Sequence, residues 1–274
     1  EQCQCVPVNL IPHPLTKGSE QMLSNEFYYN DRTRSSADSS SGRKTVEPES
    51  IDYSIHKWLK QRVHPFRWAT YNPASSPSTE QIRKGLSGKT RSQGGTNRIS
   101  PFAVAKCRQT CERLYLCSGN RKGFLWCDHD AHLWWQNLID AEWAAVMVQQ
   151  ELSRQGLRDR ILRYPSSYQG FHSVIPVSFV ESDPAAICKT YELFQDGVRR
   201  LLHWHQSPVA TTTETKGHPL HFRPDGTLYC GTLCRLPIEQ EWGVGVINWL
   251  MQIPETPISV IRFVAESIRA TYPP

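Results

Sequence analysis

The spacing of apolar residues changes several times along the chain, and each change predicts an element. Ile55, Trp58, Leu59 and Val63 recur at helical intervals, which predicts a short helix within Ile51–Trp68 that ends before Pro65. On either side, residues 31–50 are serine-rich and polar, and residues 72–100 hold few apolar side chains and the pair Gly94-Gly95, so both predict flexible stretches. The division expected is therefore an N-terminal extension over 1–100 and a folded domain over 101–274. Within that domain Ala103 to Tyr115 predicts a basic helix, and the run Gly123 to Cys127 is short and apolar enough for a buried strand. Ile139, Trp143, Val146, Met147 and Gln150 mark one face of a further helix, which Gly156 can terminate. After a polar turn from Pro165 to Gly170, Phe171 to Phe179 reads as a strand, and Pro184 to His203 as a helix with an apolar side. Thr211 to Gly217 reads as a loop, His221 to Arg235 as a hairpin turning at Pro224-Asp225-Gly226, and Val244 to Ala265 as packing material. Strand, helix, strand, helix, hairpin is the order of an α/β or α+β sheet covered on one side by helices.

Composition narrows the class of protein. A chain of 274 residues is long enough to bury a sizeable core. No run of about eighteen uncharged apolar residues occurs, and the N-terminus lacks a basic start and a continuous apolar core, so no membrane partner is expected and the location expected is intracellular, cytoplasmic or nucleoid-associated. Nine cysteines, an odd number, read as reduced and mostly buried thiols. Structural zinc is a second use for them: Cys107, Cys111 and Cys117 with Cys127 or His132, or Cys230 and Cys234 with His218 or His221, although neither set has a two-residue knuckle.

The net charge is only +5, but it is unevenly placed. From Gln81 to Lys122 the chain carries Arg83, Lys84, Lys89, Arg91, Arg98, Lys106, Arg108, Arg113, Arg121 and Lys122 against the single acid Glu112. A nucleic acid is the partner such a stretch would suit, with Lys84, Lys89, Arg91, Lys106 and Arg108 as its contacts; a solvated basic loop is the plainer reading.

Two motifs suggest chemistry. In Phe124-Leu125-Trp126-Cys127-Asp128-His129-Asp130 an apolar strand runs into Asp-x-Asp, and side-chain direction on a strand repeats every two residues, so Asp128 and Asp130 share a side. Two carboxylates that close repel and call for a cation, which a hard Mg²⁺ or Mn²⁺ ion supplies. Aspartates that merely cap a turn are the competing explanation. The second motif, Ser166-Ser167-Tyr168-Gln169-Gly170-Phe171-His172, opens a strand: Gly170 permits close approach to the backbone, Ser166, Ser167 and His172 can hold a triphosphate, and Arg163 can add charge-assisted contacts.

Together these motifs resemble the archaeo-eukaryotic primase superfamily, including primase-polymerases of plasmids and mobile elements. Members show Asp-x-Asp at the end of an apolar strand, then a helix, then small residue-x-His at the start of another strand, and later a further carboxylate. Asp128 and Asp130 match the first motif and Gly170-Phe171-His172 the second, over roughly a quarter of the chain from 115 to 180. The resemblance implies an RRM-like catalytic sheet, divalent-metal-dependent synthesis from nucleoside triphosphates, a DNA or RNA template, and a replicative helicase as a possible associate. His172 would contact the incoming phosphates. The third metal carboxylate would be Asp225, with Asp183, Asp196, Glu239 and Glu241 as substitutes.

Two other functions compete. His203-Trp204-His205 on a strand would place two imidazoles on one face, which resembles the HUH nicking enzymes, with Tyr229 as nucleophile; the apolar periodicity around it favours a helix, on which the two rings diverge. A noncatalytic nucleic-acid-binding protein would instead use exposed aromatics, Trp134 and Trp135 lining a groove with Trp143 packed behind them.

Overall fold

The computed structural model describes residues 50–71, 98–167, 170–179, 183–219, 221–222 and 228–274, all within the compact unit Lys44–Pro274. At its centre lies a β-α-β-β-α-β unit. It consists of β3 (Lys122–Asp130), α3 (Leu138–Arg154), β4 (Leu162–Ser167), β5 (Gly170–Ser178), α4 (Pro184–Trp204) and β6 (Glu214–Lys216). The strands pair antiparallel in the order β4-β5-β3-β6. The two-residue β10 (Thr256–Pro257) runs parallel to the far end of β5.

Alternation along β3 divides the surroundings into two cores. Leu125 and Cys127 join Ile175 and Val177 beneath α3, α4 and the C-terminal α6 (Ile258–Thr271). Phe124 and Trp126 face the other way and join Leu162, Tyr164 and Val174 in a second core. There they meet α1 (Ile51–Leu59), α2 (Pro101–Thr110), α5 (Gly243–Gln252) and a three-stranded antiparallel sheet in the order β1-β2-β9. Those strands are β1 (Val63–Tyr71), β2 (Arg113–Ser118) and β9 (Cys234–Leu236), while β7 (His221–Phe222) and β8 (Leu228–Cys230) pair separately. The fold is thus mixed α/β, with helices on one face of the main sheet and a second layer over one end of the other. No helix among the described residues is long and apolar enough to cross a membrane.

Several expectations are corrected. The helix expected to run on toward Pro65 stops at Leu59, and Val63–Tyr71 is a strand. Pro65 is accommodated because β1 is an edge strand whose register shifts between Val63 and Trp68. Since β1 pairs with β2, the folded unit begins well before Pro101. The basic helix ends at Thr110, where Cys111 turns to φ 54, and Arg113 to Tyr115 belong to β2. Helix α3 ends as expected, with Gly156 at φ 83 and a capping box of Asn137 and Asp140 at its start. It buries the opposite face from the one expected: Ala141, Ala144, Ala145 and Val148 lie inward, while Ile139 and Trp143 are exposed. The expected loop at 211–217 contains β6, and 244–265 resolves into α5 and most of α6. Pairing of β7 with β8 agrees with the hairpin, whose turn residues 223–227 lie outside the described set. Cys107, Cys117, Cys127 and Cys234 are free thiols, whereas Cys188 is disulfide-bonded.

Candidate functional site

The second core lies over the Lys122–Trp126 end of β3 and reaches as far as Tyr164, opposite His172. Beyond it the same alternation that buries Phe124 and Trp126 brings Asp128 and Asp130 to that face. In the antiparallel register Asp128 stands opposite His172 and Asp130 opposite Gly170. His172 Nε2 lies 3.1 Å from Asp128 Oδ1, with both side chains almost fully buried. Tyr164, opposite His172 on β4, holds that ring edge-on at 5.3 Å, and Trp126 Nε1 donates to the Tyr164 hydroxyl at 3.1 Å.

Glycine at 170 has a steric cause. A Cβ there would collide with Asp130 Oδ1 and come within 2.7 Å of Ser166 Oγ. What approaches the backbone at Gly170 is thus the protein's own carboxylate and hydroxyl. A register shift between Pro165 and Ser167 places Ser166 there, and its carbonyl accepts from Arg235 Nη1 at 2.6 Å. Arg235 is itself held by Glu239.

On the other side of β3, β6 supplies two residues that the loop reading of 211–217 missed. Glu214 stands opposite Asp128, and Lys216 reaches back from its position beside Trp126 to bond Asp128 Oδ2. Lys216 Nζ is also 3.7 Å from Glu214 Oε2. The only signal in the sequence was alternation of Glu214 and Lys216 about Thr215, too short to separate a strand from a loop.

Electrostatics follow from this packing. Burial alone would push the Asp128 carboxyl pKa up, but His172 and the Lys216 ammonium outweigh it and hold it well below the usual range. Lys216 is lowered by burial, yet the Asp128 carboxylate more than compensates and its pKa ends above the usual lysine value. Asp130 is pushed up by burial and by the neighbouring Asp128 charge; its close side-chain neighbour is His132, whose Nε2 lies 3.0 Å from Oδ2. Asp128 Oδ1 and His172 Nδ1 are buried without a hydrogen-bond partner. The approach of His172 Nε2 to Asp128 Oδ1 is therefore close but lacks hydrogen-bond alignment.

The structure thus brings together Asp128, Asp130, Ser166 and His172. It does not bring Arg163 to them: Arg163 alternates with Leu162 and Tyr164, which enter the second core, and projects from the helical face toward Glu142 of α3. Ser167 contributes its backbone to β4, its side chain being outside the described set, as are Asp225, Lys84, Lys89 and Arg91. Lys106 and Arg108 lie on α2, paired with Glu112 at 2.9 Å and Asp52 at 2.8 Å. Of the substitute carboxylates, Asp183 caps α4, Asp196 pairs with Arg200 and Arg269, Glu239 holds Arg235, and Glu241 is exposed. His203 and His205 lie at the C-terminal end of α4, so the strand geometry needed for paired imidazoles is not formed. Trp134 is 92% exposed and forms an edge-to-face pair with the half-exposed Trp135, while Trp143 is exposed rather than packed behind them.

Among the described residues no group of three or more His, Cys, Asp or Glu side chains is gathered as a metal cluster. For zinc, Cys107, Cys117 and Cys127 are on α2, β2 and β3, with Cys127 in the helical-face core. Compared with models of known protein families and with curated proteins, the chain matches none, so the site is read from its own chemistry.

Proposed function

We propose that this sheet face carries out divalent-metal-dependent nucleotidyl transfer, extending a nucleic-acid strand from nucleoside triphosphates on a DNA or RNA template, as the primase-polymerases that the sequence resembles do. The observation that carries the reading is the direct opposition of Asp128 and His172 on adjacent strands, with Asp130 on the same face. The β-α-β-β-α-β order with strands β4-β5-β3-β6 supports it, being the arrangement of the RRM-like sheet that the resemblance implies.

The donor set fits a hard cation. Asp128 Oδ1 is a buried carboxylate oxygen with no hydrogen bond, and Asp130 carries a charge that burial and Asp128 both disfavour, so a cation held by Asp128, Asp130 and Glu214 would relieve both. Glu214, opposite Asp128, takes the place of the third carboxylate sought at Asp225. Bound there, Mg²⁺ or Mn²⁺ would supply charge neutralisation at the phosphate oxygens and would acidify an attacking hydroxyl. His172 and Ser166 orient the triphosphate at the edge of the same face. Tyr164, packed behind His172, keeps its ring from turning away.

The test is template-directed incorporation of labelled nucleotide with Mg²⁺ or Mn²⁺, with and without a primer. Replacing both Asp128 and Asp130 by Ala should cut incorporation by at least about a hundredfold, in the range lost when preorganised charge is removed from an active site. A folded double variant that incorporates as the parent does rejects the assignment.

A further inference from the structure

Resting on that metal-dependent reading, we propose that Lys216 is a built-in counter-ion of the site, which keeps Asp128 compensated while no metal is bound and is displaced when a divalent cation enters. Its ammonium bonds Asp128 Oδ2 and lies 3.7 Å from Glu214 Oε2, the place between two strands where a cation serving both carboxylates would sit. Asp128 is 8% exposed and Lys216 27%, so the ion pair is shielded from bulk water, and an unpaired carboxylate at that depth would be costly. The partners differ in freedom. Asp128 sits in the middle of the paired sheet, between His172 and Glu214. Lys216 is the last residue of the edge strand β6, on a four-carbon stem that can swing toward solvent. Its backbone stays put, because the next N–H, that of Gly217 at φ 86, donates to Thr232 Oγ1 at 2.9 Å.

The exchange is ionic. Carboxylate-ammonium contact is replaced by carboxylate-metal contact, with no proton transferred and no covalent bond made or broken. The freed ammonium would then be available to a phosphate oxygen of a bound nucleotide. Metal alone thus binds against a competing positive charge, while metal and nucleotide favour each other. A purely structural ion pair would show no such coupling.

The experiment measures Mn²⁺ binding to the full chain by electron paramagnetic resonance of the free ion, first alone and then with a nucleoside triphosphate analogue whose α–β bridge cannot be cleaved. Lys216→Gln should bind Mn²⁺ alone about tenfold or more tightly than the parent, since one positive charge a few ångströms away is removed. The mutual enhancement by the analogue should shrink by a similar factor. Lys216→Met, which keeps the apolar stem, should show the same gain, and circular dichroism melts identify whichever variant is folded. Unchanged Mn²⁺ affinity in a folded variant overturns the counter-ion role. Adding Asp128→Asn to Lys216→Gln should abolish the gain. If the double variant keeps the tight binding, the ion is not at Asp128 and the metal reading of the site falls with the proposal. If Asp128→Asn weakens binding but the Lys216 variants match the parent, only the proposal falls.

Discussion

Strand β3 buries polar side chains on both faces, and the fold treats the two faces differently. On the helical face His129 lies fully buried between Thr213 Oγ1 and Ser173 Oγ, each 3.2 Å from a ring nitrogen. Burial holds its pKa down to about 3, so the ring stays neutral and both nitrogens are used. One residue earlier, on the other face, Asp128 has one oxygen on Lys216 and one without a hydrogen bond, and His172 leaves a ring nitrogen unpaired. A buried polar group whose partners are all supplied belongs to the core. Polar atoms left unpaired at the same depth cost free energy that a ligand can relieve.

Breaking the paired side should have the largest effect on stability. His129→Ala should lower unfolding stability by about 3 kcal/mol, because it leaves a cavity and strands two buried hydroxyls; urea denaturation measures this, and a loss below about 1 kcal/mol would remove His129 from the framework. His172→Gln, at comparable depth, should cost less than half as much stability while raising the KM for nucleotide about tenfold. Equal stability losses from the two would erase the distinction between the faces.

Acid sharpens the same contrast. His129 is neutral in the fold well below its unfolded pKa of about 6.5, so its contribution is fully present above that pH and is lost as pH falls toward about 3. His218, which burial holds down to about 4, acts in the same direction over much of that window. Stability should therefore fall between pH 7 and pH 5, and His129→Gln should remove about 2 kcal/mol of that dependence. Thermal melts at the two pH values provide the check, and an unchanged slope would show that His129 titrates normally. The smallest effect belongs to the more exposed carboxylate: Glu214→Gln should weaken Mn²⁺ binding about tenfold, as loss of a supporting ligand does. No change in calorimetric Mn²⁺ affinity would leave the third position unassigned.

Where a segment's pattern was long and one-sided, it foretold the element: α4 runs Pro184–Trp204, within a residue of the expected end, and β3 contains the expected apolar run. Short or two-sided patterns failed for identifiable reasons. Val63–Tyr71 contains a proline that only an edge position tolerates, and being an edge is a property of the assembled sheet. In α3 the largest apolar residues suggested the buried face, yet alanines lie against the sheet, where small side chains let the helix approach closely. Nearness in sequence puts Arg163 beside the triphosphate, whereas pleating sends it to the opposite face.

By itself the sequence determined that Asp128 and Asp130 share a face, because strand geometry has a period of two, and that a glycine precedes His172 at the start of a strand. Only the tertiary structure decided that this histidine stands against Asp128, that Gly170 makes room for Asp130 and Ser166, and that a lysine from a three-residue strand neutralises the first carboxylate. Local periodicity is written within a few neighbouring residues, whereas register between strands more than forty residues apart is set by how two cores pack around them.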